Sequence, residues 1–135
     1  MALQSVESCT QAGNQEVESR FLGMSPVEMV VRLYEGAIGF IEDAQDALEA
    51  GQIEDFKWNV ERGRRIIEEL KRTLNLKDGG QLSAQLRDLY NFVLDSLKQA
   101  ELTHRPHYLT QVIGPLETLL DGWRGAAAQT VTMVS

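Results

Sequence analysis

The sequence predicts an all-α fold, an antiparallel four-helix bundle with a short, loosely attached N-terminal segment. Three features predict it: four stretches with apolar residues three and four apart, short connections between them, and a length of 135 residues that suits a single core. Hydrophobic residues make up 43% and charged residues 24%, a balance that calls for a packed interior.

Residues 1–24 are rich in Ser, Gln and Glu and poor in large apolar side chains, so they are expected to form a flexible segment, at best a short helix that docks late. The bundle is expected over 25–128, with a C-terminal tail at 129–135. Ser25-Pro26-Val27-Glu28 starts the first helix: Ser at the N-cap, Pro at the first helical position and Glu three residues after the cap. Its core face reads Val27, Val31, Tyr34, Ile38, Ile41 and Leu48, and Gly51 ends it. A second helix begins near Ile53 and repeats Ile53, Phe56, Val60, Gly63, Ile67, Leu70 and Leu74 as an unbroken heptad, stopping before Asp78-Gly79-Gly80. The third carries Leu82, Leu86, Leu89, Val93, Leu97 and Ala100. The fourth, opened by Pro106, carries Leu109, Val112, Leu116, Leu119 and Trp123. Pro115 removes the hydrogen bond to the Gln111 carbonyl and is expected to kink or split that last helix.

Charge excludes two partner classes. A net charge of −7 and a pI near 4.8 oppose the basic footprint that nucleic acid and anionic lipid require. No stretch approaches the ~18 apolar residues of a membrane span, and the first residues lack the basic and apolar parts of a secretory signal, so a cytoplasmic location is expected. The one cysteine, Cys9, has no partner for an internal disulfide.

Enzyme chemistry fails for want of parts. Glu101-x-x-His104 has the spacing of a di-iron ligand pair, yet no second Glu-x-x-His accompanies it. His104 and His107 flank Pro106 in a turn, whereas a phosphotransfer histidine sits exposed in mid-helix. Asp78-Gly79-Gly80 lacks the preceding strand and following Lys-Ser of a phosphate loop. The cluster Arg62, Arg64, Arg65, Lys71 and Arg72 is matched by Glu61 and Glu68 at i,i+4 from Arg65 and Arg72, which describes a solvated face. No catalytic residue, metal ligand or cofactor is expected.

The informative feature is surplus apolar surface. On the first helix a second stripe, Leu33, Ala37, Phe40, Ala44 and Ala47, lies about 100° from the first, so together they span roughly 200° where a surface helix needs ~100°. Either this helix is the most buried of the four or its second stripe forms a groove for another helix. On the third helix Phe92 and Val93 cannot both point at one core line, so part of the cluster Leu89, Tyr90, Phe92, Val93 and Leu94 is spare.

Ser25-Pro26, Leu33-Tyr34-Glu35-Gly36-Ala37-Ile38, Phe40-Ile41, Ile66-Ile67-Glu68-Glu69-Leu70, Gly79-Gly80, Leu86-Arg87-Asp88-Leu89-Tyr90-Asn91-Phe92 and Trp123 follow one another in this order. The ordered set resembles the flagellin-specific secretion chaperone family, FliS, over about three-quarters of the chain. The resemblance implies a chaperone that binds the disordered C-terminal segment of flagellin in an apolar groove, prevents premature polymerisation, and passes flagellin to a component of the export gate. It implies as candidate contacts Phe21, Met24, Val30, Leu33, Tyr34, Ala37, Phe40, Leu86, Leu89, Tyr90, Val93 and Leu94, on a monomer or weak homodimer. Where the family usually carries tyrosines before the Ser-Pro cap, this chain has Phe21. A competing expectation is a structural or adaptor bundle that homodimerises through the extra apolar stripe.

Overall fold

The computed structural model describes residues 25–75 and 79–134. They form four helices in chain order: α1 (Pro26–Glu49), α2 (Ile53–Arg72), α3 (Gly80–Thr103) and α4 (His107–Val134). Helix α1 packs on α2 and α4, and α3 packs on the same two, so the helices form a ring in sequence order with α1 diagonal to α3. Short connections reverse the chain each time and make the bundle antiparallel.

Local chemistry sets the ends of α1. The Glu28 backbone N–H donates to Ser25 Oγ at 3.1 Å, and the Ser25 N–H donates to Glu28 Oε1 at 2.8 Å, a capping box of the kind the sequence predicts. A serine cap of this sort is worth about 1 kcal/mol. At the other end Gly51 takes φ 75°, a left-handed conformation that glycine adopts freely. This lets the Gln52 N–H reach the Ala47 carbonyl at 2.8 Å and the Gly51 N–H reach Leu48 at 3.1 Å, covering two carbonyls at the helix end.

The interior is built from the predicted periodicity. Helix α2 contributes Phe56, Val60, Gly63, Ile67 and Leu70, all buried, with Ile53 and Leu74 half-buried at its ends. Helix α4 contributes Leu109, Val112, Leu116 and Leu120, with Leu119 and Trp123 half-buried beside them. On α3 the core line is rotated from the one read in the sequence. Ser83, Leu86, Tyr90, Val93, Leu97 and Ala100 are buried, whereas Leu82 is 57% exposed and Leu89 lies at the edge.

Pro115 does not split α4, which runs through it from His107 to Val134, into the 129–135 stretch where a tail was expected. Gly114 and Pro115 lie on the exposed face with Gln111, so water can satisfy the carbonyl that Pro115 leaves without a donor. The readings that concern residues 1–24, Phe21 and Met24 among them, lie outside the described residues.

Candidate functional site

The second stripe of α1 faces α2. Ala37, Ala44 and Ala47 are buried, and Leu33 is packed half-buried against the core. The two helices come close because both lack bulk where they cross. A Cβ on Gly63 would meet Ile41 Cγ1 at 3.3 Å and Phe40 Cβ at 3.6 Å, and one on Gly36 would meet Ile66 Cδ1 at 3.2 Å. Of the two readings that periodicity left open for α1, the structure takes the first: α2 already occupies that stripe.

Several of the candidate contacts therefore form the interior. Tyr34, Ala37, Leu86, Tyr90 and Val93 are buried, and Val30, Leu33, Phe40, Leu89 and Leu94 are half-buried. At the centre the hydroxyls of Tyr34 and Tyr90 share a hydrogen bond of 2.6 Å across the α1–α3 diagonal, with their rings edge-on at 6.3 Å. Trp123 packs on Tyr34 at 6.2 Å, and its buried indole N–H has no hydrogen-bond partner among the described residues. That N–H is near enough to the Tyr34 hydroxyl to favour its charged form, but the effect is outweighed by burial.

Burial is the main reason both tyrosine hydroxyls are pushed above their ordinary value near 10, and the shared proton lifts Tyr90 further. A tyrosine whose folded value is raised contributes fully below the unfolded value and loses that contribution as pH rises through the folded one. Melting temperature should therefore fall as pH rises above about 10, and it should fall less in the Tyr34→Phe, Tyr90→Phe double variant. Melting curves followed by circular dichroism check this.

Apolar surface remains open along α3. Leu82, Leu89 and Phe92 follow one another at i+7 and i+3, and the same row continues to Ser96, which accepts a 2.9 Å hydrogen bond from Gln111 Nε2 on α4. The row thus runs along the α3–α4 seam, where packing is sparser than at the other three seams of the ring. On α4 the facing row from Gln111 reads Pro115, Leu119 and Gly122. Nothing lies within 4 Å of where a Cβ on Gly122 would be. The result is a shallow groove with Leu89 and Leu119 half-buried in its floor and Leu82 and Phe92, 57% and 43% exposed, on its rim.

Other surface features are polar. A groove of about 470 Å³ between α1 and α4 is lined by Glu35, Glu42, Glu117 and Asp121, with Arg124 bonded to Glu35 at 3.0 Å. On α2 Arg65 pairs with Glu61 as its spacing predicts, but Arg72 takes Glu69, and Glu68 goes to Arg64. Among the described residues there is no cluster of three metal-binding side chains, and no helix is long and apolar enough to cross a membrane.

Residues 9–130 match the family model described as flagellar protein FliS. The chain is 32% identical to the flagellar secretion chaperone FliS of Campylobacter jejuni over 100 residues, covering 74% of this chain and 78% of the relative. It is 31% identical to that of Bacillus subtilis over 102 residues, covering 76% and 75%. A crystal structure of a bacterial flagellar chaperone superposes with a TM-score of 0.73 at 23% identity, over 86% of this chain and 98% of the other, and shows the same fold. With the ordered motifs, the helical ring and the matched span in agreement, this chain belongs to the FliS family of flagellar secretion chaperones.

Proposed function

We propose that this protein binds the disordered C-terminal segment of flagellin in the cytoplasm, with the α3–α4 groove as the first anchoring site, and keeps it from polymerising until a component of the export gate receives it. The observation that carries this reading is the row Leu82, Leu89 and Phe92 beside Leu119 and Pro115, where Leu82 and Phe92 stay exposed and Leu89 and Leu119 are only partly covered by the described helices. An apolar assembly segment is a polymerisation hazard until covered, and an amphipathic helix forming in such a groove covers it.

Magnitudes set the size of the contact. Complete burial of a Leu or Phe side chain is worth about 1.5–3 kcal/mol, so finishing the burial of Leu82 and Phe92 supplies roughly 2–3 kcal/mol together. A micromolar complex needs about 8 kcal/mol. The client must therefore extend beyond the groove.

Calorimetric titration of a flagellin C-terminal peptide at several temperatures tests the proposal. Binding should show a negative heat-capacity change and unfavourable ordering entropy, as for a disordered segment that folds on an apolar surface. No heat and no shift in elution volume at tens of micromolar, on the order of the weakest useful affinity, would refute it. A doubled mass without peptide would instead favour a homodimer.

A further inference from the structure

On the opposite side of the ring from the α3–α4 groove, the α1–α2 seam carries a second arrangement, separate from the proposed client groove. Trp58 is 52% exposed, yet its ring is held from two sides. The Phe40 ring meets it edge-on with centroids 5.9 Å apart, and the Arg62 guanidinium lies 4.6 Å from its centroid. A tryptophan fixed in this way loses little side-chain freedom when a partner covers it. Trp and Arg are also the residue types that most often dominate binding energy at protein interfaces.

The charge around it is equally specific. Six of the chain's 13 basic residues lie on α2, beside five acidic ones, so the helix is close to neutral in a molecule of net charge −7. Arg64, Arg65 and Arg72 each hold a glutamate, whereas Arg62 forms no ion pair among the described residues. A guanidinium stacked on an indole still directs its N–H groups outward, where a carboxylate can meet them. Glu54 and Asp55 lie one turn before Trp58 on the same helix, so the attraction for a carboxylate comes from direct contact with the Arg62 guanidinium rather than from a positive field over the patch.

We infer that the Phe40–Trp58–Arg62 surface is a docking site, separate from the client groove, for an acidic segment of another protein that places an apolar side chain over Trp58 and a carboxylate on Arg62. A protein bound here leaves the α3–α4 groove free, so the two can be occupied together.

The probe is a fluorescein-labelled peptide with a Leu-Phe pair flanked by two glutamates on each side, compared with a twin in which lysines replace the glutamates. Fluorescence anisotropy should show the acidic peptide binding the whole chain with Kd on the order of 100 μM, and no binding by the lysine twin. Arg62→Glu should weaken binding about tenfold, Arg62→Lys by less, and Trp58→Ala at least about fivefold, while Phe92→Asp stays near the native value. Arg62 is exposed, so Arg62→Glu should lose affinity at an unchanged melting temperature, whereas Trp58→Ala, which also loses its contact with Phe40, should stay folded with a melting temperature a few degrees lower. Equal binding of the two peptides, or native affinity in Arg62→Glu, overturns the inference. So does displacement of the acidic peptide by a saturating flagellin C-terminal peptide, which would make the seam part of the client's path. None of the direct binding arms requires flagellin, so their failure is distinct from failure of the proposed function.

Discussion

Ile67→Asp should unfold the protein, or lower its melting temperature by about 15 °C or more, because it places a carboxylate in the middle of the core. Ile67 is fully buried on α2 among the residues that face α1 and α3, and among the described residues no cation is buried in that interior to pair with the new charge. The loss of apolar burial and the burial of an unpaired polar group together exceed about 4 kcal/mol, a large part of the stability of a domain this size. Leu33→Asp is the informative contrast. Leu33 lies half-buried at the α1–α2 seam, so its new carboxylate can turn to water and the cost should stay near 1–2 kcal/mol. Thermal denaturation of the two variants side by side checks the difference; equal losses would place Leu33 in the core proper.

Phe92→Asp should leave the melting temperature within a few degrees of native and weaken binding of a flagellin C-terminal peptide at least about tenfold, or ~1.4 kcal/mol. Phe92 is 43% exposed and stands outside the buried cluster, so the fold loses little. The complex loses more, since the charge lands where the client's apolar face would sit. Leu89→Asp should weaken binding as much but also cost stability, because Leu89 packs against the core. Titration and melting of both variants separate the two effects; native affinity in Phe92→Asp would remove the groove from the client's path.

What could be read in the sequence was what local chemistry decides. The Ser25–Glu28 capping box, the Gly51 stop and the α2 heptad each depend on residues within a few positions of one another, and each is found where the pattern places it. The exposed face of α3 was only half legible. The adjacency of Phe92 and Val93 showed that one of them had to leave the core, but Leu82 looked as apolar as Leu86 and gave no sign that Ser83 would be buried in its place.

The second stripe of α1 was illegible for a different reason. Whether Leu33, Ala37 and Phe40 line an open groove or an occupied seam depends on how near α2 approaches, and that distance is set by the pairing of Gly36 with Ile66 and Gly63 with Ile41 across the bundle. No spacing within one helix encodes such a pairing. The exchange of partners among Glu61, Glu68, Glu69, Arg64 and Arg72 has the same character, because i,i+3 and i,i+4 neighbours compete on one face.

The central claim, that the client anchors along α3 and α4 rather than on the second stripe of α1, is tested most directly by amide hydrogen exchange of the whole protein with and without a flagellin C-terminal peptide. The account predicts new protection concentrated at 82–92 and 115–126, with exchange through 33–47 unchanged because α2 already covers it. Protection confined to 33–47 and 58–66, with 82–92 unaffected, would contradict it.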